Sequence, residues 1–165
     1  MKAIFLDIDG VLNSEASVIY HFRVLGKLAP RDFEREQRAL CPICISNLNY
    51  LFEMANDQDL KIVISSTWRL TVNLDEIKKT IEVQGFLFPE KIIDATPIWR
   101  KSDFYPGRCD EIEAWLNQHP EVTEYSILDD STDLGRLIDK AVITDAETGL
   151  TLKNAKETLE KLKRK

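Results

Sequence analysis

The feature that most constrains this chain is a short apolar segment that ends in two closely spaced aspartates. Residues Ala3 to Leu6 are apolar, Asp7 and Asp9 follow, and Gly10 allows a sharp backbone turn directly after them. The apolar run predicts a buried strand, and two carboxylates at the end of such a strand destabilise the fold unless something compensates their charge. Carboxylate oxygens typically bind a hard divalent cation. The segment therefore predicts a metal site that also contains a nucleophile.

Two other structures share the Asp-x-Asp-Gly sequence. A hairpin turn would leave both aspartates in solvent. An EF-hand calcium loop needs further oxygen ligands and ends on a glutamate. Counted from Asp7, the corresponding positions hold Val11 and Val18, which excludes the EF-hand. The hairpin remains an alternative.

Length and charge limit the classes of function. The 165 residues fit a single domain spanning 1–165, with a sizeable core and no internal repeat. The net charge of −6 argues against an extended nucleic-acid-binding surface, although a local basic pocket is compatible with it. No apolar run reaches the roughly 20 residues that span a bilayer, and no signal peptide is visible. We therefore expect no membrane association and a cytoplasmic location.

The cysteines do not suggest a disulfide scaffold. The chain has three cysteines, Cys41, Cys44 and Cys109, and an odd number cannot all pair within one chain. Cys41 and Cys44 have the spacing of a redox pair, but a second pair for zinc is missing, and Pro42 indicates that a helix begins there. We interpret these cysteines as structural, with redox or metal use as the alternative.

Short apolar segments alternate with segments of helical periodicity, which predicts an α/β fold with a parallel sheet. The predicted strands are residues 3–6, 62–64, 91–93, 125–128 and 141–143. The predicted fold is a Rossmann-like three-layer sandwich around a central, mainly parallel five-stranded sheet. Residues 13–40 are less regular and form an insertion after the first strand. We predict a small cap over the site there, with a solvated helix and loop as the alternative.

Polar side chains follow several of the predicted strands. They are Asp7 and Asp9 after the first strand, Ser65, Ser66 and Thr67 after the second, and Asp129 and Asp130 after the fourth. Ligands of open parallel sheets bind beyond the carboxyl ends of the strands. Polar ends on these separate strands therefore predict one functional site at that edge.

In this pattern the chain resembles the haloacid dehalogenase-like (HAD) superfamily of hydrolases over nearly its whole length. Residues Asp7 to Leu12 resemble the first motif of that superfamily, Ile62 to Ser65 the second, and Asp129-Asp130 the acidic fourth. The third motif is a single Lys or Arg, for which Arg108 fits best and Lys101 is the alternative.

A narrower resemblance is to the small HAD domains associated with RNA-repair proteins. It is carried by Leu6 to Asn13, Ser65 to Arg69, Ala95 to Pro97, Arg108, Glu111, Ile112, Trp115, Leu116 and Leu128 to Asp130. This resemblance implies a phosphate ester on a nucleotide or a nucleic-acid end.

The resemblance implies a Mg²⁺-dependent phosphatase that forms an aspartyl-phosphate. Asp7 would be the nucleophile, and Asp9 would protonate the leaving group and then deprotonate water. Mg²⁺ would bind the Asp7 carboxylate, the Asp9 carbonyl and Asp130, with Asp129 as the alternative ligand.

Further residues would bind the substrate. Ser65 and the amide of Ser66 would hydrogen-bond a phosphoryl oxygen, and Arg108 would supply positive charge. Charge and aromatic rings combine near the expected mouth in Arg69, Trp99 and Lys101, together with Trp68, Arg100, Phe104 and Tyr105. Such a combination binds phosphates and stacks bases, whereas loop anchoring is the alternative.

Three other functions share these motifs. A dehalogenase would use Asp7 but needs neither Asp9 nor a metal. A phosphomutase would need a larger cap than the insertion suggests. A non-catalytic HAD-like binding domain would keep the motifs without turnover.

Overall fold

The central layer of the protein is a parallel sheet. The computed structural model describes residues 1–21, 40–98 and 107–163. Within them the strands are β1 (Lys2–Leu6), β2 (Leu60–Ile64), β3 (Ile92–Ala95), β4 (Glu124–Asp129) and β5 (Ala141–Ile143). They form one sheet in the order β3-β2-β1-β4-β5, and all the pairings are parallel. The predicted α/β fold is therefore confirmed, and the hairpin alternative is wrong.

Helices cover both faces of this sheet. They are α1 (Glu15–Ile19), α2 (Pro42–Ala55), α3 (Leu74–Val83), α4 (Arg108–Gln118) and α5 (Leu152–Lys161). As predicted, α2 begins at Pro42, where a missing amide hydrogen is no loss. The three cysteines are free thiols. No helix in the described ranges is long and apolar enough to cross a membrane.

Alternating side chains of β1 divide the core between the two faces. Ile4 and Leu6 pack in the cluster that includes α2, α3 and α5, whereas Ala3 and Phe5 pack in the cluster with α4. Trp115 of α4 meets Phe5 edge-on, with 5.5 Å between ring centroids. This packing fixes α4 on the sheet and thereby places its first residue, Arg108.

The strand order places a crevice at the carboxyl end of β1. This strand pairs with β2 on one side and with β4 on the other. The chain adds β2 and β3 on the first side of β1 and then crosses to the other side to form β4 and β5. In open α/β sheets, ligands bind where the strand order reverses in this way.

The predicted cap is only partly covered by the structure. Residues 13–21 are described and contain α1, which Ser14 caps through its side chain. Residues 22–39 lie outside the described ranges, so the cap at 13–40 and the single-domain assignment stay predictions.

Candidate active site

Backbone hydrogen bonds fix the carboxyl end of β1 between its neighbours. The Asp7 amide donates to the Leu128 carbonyl over 2.9 Å, and the Ser65 amide donates to the Leu6 carbonyl over 2.8 Å. Asp7 therefore lies beside Ser65 on one side and beside the end of β4 on the other. The polar ends of these strands meet at one edge of the sheet, as the sequence predicts.

Arg108 joins two of the acidic motifs. Its Nη1 atom lies 2.5 Å from Asp7 Oδ2 and 2.5 Å from Asp129 Oδ2. Both carboxylates are buried, and Asp129 is fully so. The guanidinium reaches them from the start of α4, which places the predicted third-motif cation at the site. The alternative cation, Lys101, lies outside the described residues.

Among the described residues, the site carries more negative than positive charge. One carboxylate oxygen from each of Asp7, Asp129 and Asp130 lies within 4.8 Å of the others. Arg108 is the cation that directly contacts two of these three carboxylates. An uncompensated group of buried carboxylates is destabilising, and a divalent cation is the usual compensation.

Asp129 and Asp130 differ in how their oxygens are used. Asp129 Oδ1 accepts the Ser131 amide over 2.9 Å and Oδ2 accepts Arg108, so both oxygens are engaged. The Asp130 carboxylate accepts no hydrogen bond from the described residues and lies against Gly10. Gly10 has φ +68°, and a Cβ atom there would collide with the Asp130 carboxylate. This geometry favours Asp130 as the direct metal ligand, a choice that stays a prediction.

Burial and neighbouring charges raise the pKa values of Asp7, Asp129 and Arg108. Burial, with repulsion from Asp129, raises the pKa of Asp7 to about 6 although Arg108 opposes the shift. Burial likewise raises the pKa of Asp129 against the attraction of Arg108. Burial disfavours the charged form of Arg108, but Asp7 and Asp129 outweigh it and raise its pKa. Asp7 is therefore mainly ionised at neutral pH, which is compatible with its predicted role as a nucleophile.

Asp9 is exposed and lies beside the carboxylate cluster without joining it. Its Oδ1 accepts Asn13 Nδ2 over 2.7 Å, and its Oδ2 accepts Trp68 Nε1 over 3.0 Å. Asn13 in turn accepts the Gly10 amide over 2.9 Å. These contacts fix the orientation of Asp9, and its roles as acid-base group and as carbonyl ligand stay predictions.

The two serines after β2 have different environments. The Ser66 hydroxyl accepts the Trp68 amide and interacts with the Asp7 carboxylate, whose pKa it tends to lower. The Ser65 hydroxyl is fully buried beside Asp7 and has no hydrogen-bond partner among the described residues. A buried hydroxyl without a partner is destabilising unless a ligand uses it. The arrangement therefore favours Ser65 as a ligand-binding group.

The predicted substrate-binding residues at the mouth have a mixed outcome. Arg69 is described, and only 6% of its side chain is exposed because protein groups surround its guanidinium. This position resembles the loop-anchoring alternative, and direct contact with substrate stays a prediction. Trp99 and Lys101, with the neighbouring Arg100, Phe104 and Tyr105, lie outside the described residues.

Sequence reasoning missed the roles of Asn13, Trp68 and Thr144. Thr144, at the end of β5, donates its hydroxyl to the Gly10 carbonyl over 2.8 Å and fixes the loop after β1. A buried indole N–H needs an acceptor, which was a usable signal for Trp68. For Thr144 the sequence offers no local signal, because its partner is 134 residues away.

Comparison with known proteins identifies the family of this chain. A protein-family model described as the HAD domain in Swiss Army Knife RNA repair proteins matches residues 3–155. The chain belongs to this family. Searches of curated proteins and of solved structures gave no significant match. The HAD assignment agrees with the parallel sheet and with the acidic groups at its carboxyl edge.

Proposed function

We propose that this HAD domain is a Mg²⁺-dependent phosphatase that hydrolyses a phosphate monoester through an aspartyl-phosphate at Asp7. One observation carries the proposal: Arg108 contacts Asp7 and Asp129 in a carboxylate cluster at the carboxyl edge of the sheet. A nucleophilic carboxylate beside a guanidinium suits attack on an anionic phosphoryl group. Family membership supports a hydrolase of the HAD class.

The cluster fits a magnesium ion. Its ligands would be Asp7 and Asp130 with the Asp9 carbonyl, and Asp129 is the alternative to Asp130. All are oxygen donors, and the oxygens of the three carboxylates are close enough to share one ion. When bound, Mg²⁺ neutralises phosphate charge that would otherwise repel Asp7.

In the first step, an Asp7 carboxylate oxygen attacks phosphorus and the bond from phosphorus to the ester oxygen breaks. Asp9 gives its proton to the leaving oxygen, so an alcohol departs. Arg108 uses its Nη1 for Asp7 and Asp129 within the described residues, which leaves its other N–H donors for phosphoryl oxygens. The Ser65 hydroxyl supplies a further donor.

In the second step, water attacks the phosphorus of the aspartyl-phosphate and Asp9 takes a proton from that water. The bond from phosphorus to the Asp7 oxygen breaks, which releases inorganic phosphate and regenerates the carboxylate. The hydrogen bonds from Asn13 and Trp68 hold Asp9 in one orientation for both proton transfers.

The proposed substrate class is a phosphate on a nucleotide or a nucleic-acid end. The family description, which names RNA repair proteins, supports it. The net charge of −6 suits a short anionic ligand held in a local site better than a long polyanion along the surface.

A panel of esters tests the proposal. It contains 3′- and 5′-phosphorylated oligonucleotides, nucleotides, sugar phosphates and an activated aryl phosphate, each with Mg²⁺ and with EDTA. We expect Mg²⁺-dependent phosphate release, fastest on a nucleotide or oligonucleotide. Faster turnover of sugar phosphates would contradict the substrate class alone.

Three other outcomes would contradict the reaction itself. Full turnover of an alkyl halide in EDTA would indicate a dehalogenase. Absence of turnover on the whole panel, with Mg²⁺ binding intact, would favour a non-catalytic HAD-like domain. Transfer of the phosphoryl group to a second position of the same molecule would indicate a phosphomutase.

A further inference from the structure

Arg69 is surrounded by protein acceptors that belong to three different segments. Its Nε donates to the Thr96 carbonyl over 3.0 Å, and its Nη1 donates to the Ser66 carbonyl over 2.5 Å. Its Nη2 forms an ion pair with Glu111. Ser66 follows β2, Thr96 follows β3 and Glu111 belongs to α4. One guanidinium therefore ties the ends of two strands to a helix.

The helix end of this connection leads to the candidate active site. Glu111 lies three residues after Arg108, so the two side chains leave neighbouring turns of α4. Glu111 is 15% exposed and Arg69 is 6% exposed, which protects their ion pair from solvent screening. Movement of Glu111 would move the first turn of α4 and with it the guanidinium that contacts Asp7 and Asp129.

The other end of the connection leads to the Ser65-Ser66 segment. Arg69 bonds the Ser66 carbonyl, and the neighbouring Ser65 amide bonds the Leu6 carbonyl, directly before Asp7. The Ser65 hydroxyl is buried without a partner in the described ranges. The ion pair therefore fixes two groups relative to each other: the hydroxyls that follow β2 and the cation that begins α4.

We propose that Arg69 and Glu111 act together as a positioning pair, which sets the separation between the Ser65-Ser66 segment and Arg108. The proposal deepens the proposed function, on which it rests. It assigns Arg69 to the architecture of the site instead of to direct contact with substrate, and it gives Glu111 an equal share in that role.

The sign of the Glu111 charge makes the proposal testable. A carboxylate repels phosphate, so Glu111→Gln cannot remove a phosphate contact. If Arg69 contacts substrate directly, its loss raises KM and the loss of Glu111 leaves KM unchanged or lowers it. If the two residues position Arg108 together, both losses lower kcat.

The same helix offers a matched control pair. Glu113 forms an ion pair with Arg136, but the Arg136 side chain is 60% exposed. The other described side-chain contact of Arg136 is with Asp110, which is not one of the site residues above. Glu113→Gln removes the same charge from α4, two residues away, without touching the connection to Ser66.

The kinetic test compares Arg69→Lys, Glu111→Gln, the double variant and Glu113→Gln on one activated aryl phosphate. We expect kcat to fall roughly tenfold to a hundredfold in either single variant, with KM nearly unchanged, since a small displacement of the reacting groups is sufficient. The double variant should be no slower than the worse single variant, and Glu113→Gln should match the parent protein. A KM increase confined to Arg69→Lys, or equal effects of Glu113→Gln and Glu111→Gln, would overturn the proposal.

A spectroscopic test separates this proposal from the proposed function. The NMR signal of the Arg108 Nε–H group, assigned with Arg108→Lys, reports the surroundings of that guanidinium without turnover. We expect Glu111→Gln to shift this signal and Glu113→Gln to leave it in place. A shift in a protein without phosphatase activity would uphold the positioning pair while the proposed function fails. An unshifted signal would overturn the positioning pair whatever the activity.

Discussion

The two ends of the central sheet both contain buried charge, but they compensate it differently. At the amino ends of the strands, Lys91 is buried and its Nζ donates to the Asp57 carbonyl and to the carbonyl and side-chain oxygen of Gln58, over 3.0–3.4 Å. An ammonium has three N–H donors, so this group is satisfied by the protein itself. At the carboxyl ends, Arg108 contacts Asp7 and Asp129, whereas Asp130 lies within the same group of carboxylates without contacting it.

From this difference we infer that the charge of Lys91 serves the structure, whereas the three carboxylates at the carboxyl ends serve a function. A buried charge with a complete set of partners stabilises one conformation and needs nothing else. The three carboxylates outnumber the cations that contact them in the described ranges, and the buried Ser65 hydroxyl has no partner there, so this end of the sheet favours a ligand. We therefore expect substitutions at the carboxyl ends to change activity and those at the amino ends to change stability.

The largest expected effect is that of Asp7→Asn on turnover. This change keeps the size of the side chain but removes the anionic oxygen that attacks phosphorus, so kcat should fall by at least roughly 10⁴-fold. Steady-state rates on an aryl phosphate with Mg²⁺ measure it. Asp57→Asn, the same change at the amino ends, is the control and should keep the parent rate. Near-parent activity of Asp7→Asn would exclude the aspartyl-phosphate.

The second effect depends on the leaving group. Asp9→Asn removes the proposed proton donor, which matters most for a poor leaving group. Turnover of an alkyl phosphate should fall by roughly 10²- to 10⁴-fold, whereas an activated aryl phosphate should be slowed far less. Rates on both esters in the same preparation measure the ratio. Equal slowing of the two esters would leave Asp9 with a structural or metal-binding role only.

The third effect is a change in stability with pH in the metal-free protein. Burial raises the pKa of Asp7 from 3.8 to about 6 in the folded state. The stability that protonated Asp7 contributes is therefore complete below pH 3.8 and is lost as the pH rises through about 6. Asp7→Asn should gain on the order of 2 kcal/mol relative to the parent protein between about pH 4 and about pH 7.

Urea unfolding in EDTA at both pH values measures this difference, and the carboxylates remote from the site cancel because they titrate alike in both proteins. Saturating Mg²⁺ should reduce the gain, since the ion stabilises the anionic form of Asp7. A stability difference that does not depend on pH would contradict the buried, undercompensated state of Asp7.

The smallest effect is expected at the amino ends of the strands. Lys91→Met removes the donor for the carbonyls of Asp57 and Gln58, which should lower the free energy of unfolding by about 1–3 kcal/mol. Its kcat should equal that of the parent protein. Lys2→Met, which removes a partly exposed ion pair with Asp57 and Glu124, should lower stability by less than about 1 kcal/mol. A lower kcat in Lys91→Met would contradict the expectation that substitutions at the amino ends of the strands change stability but not activity.

Local patterns in the sequence predicted the fold well, and they predicted that the side chains of Asp7, Asp129 and Asp130 lie at one edge of the sheet. Each strand has a short apolar core, and the predicted strand at 141–143 has the observed bounds. The weakest prediction was β3, placed at 91–93 and observed at Ile92–Ala95, because Lys91 is drawn into the turn before the strand by its buried carbonyl contacts. The proximity of Asp7, Asp129 and Asp130 was predictable because the carboxyl ends of parallel strands lie at the same edge of a sheet.

Contacts between distant segments could not be predicted in the same way. Trp68 and Arg69 were both placed at a substrate-facing mouth, yet Trp68 bonds Asp9, 59 residues away, and Arg69 bonds Glu111, 42 residues away. Periodicity reports which face of an element is buried but not which polar group it meets there. The partners of these residues depend on how α4 packs on the sheet, which is a property of the whole fold.

Above all, we propose that Asp7, at the carboxyl end of β1, forms a covalent phosphoryl intermediate. Acid quenching of the protein during turnover with Mg²⁺, followed by proteolysis and mass spectrometry, tests it most directly. We predict a phosphoryl group on Asp7 in the parent protein, increased in Asp9→Asn if water attack becomes slower than phosphoryl transfer, and absent in Asp7→Asn. Steady turnover with no phosphorylated Asp7, or a phosphoryl group on another residue, would contradict the account.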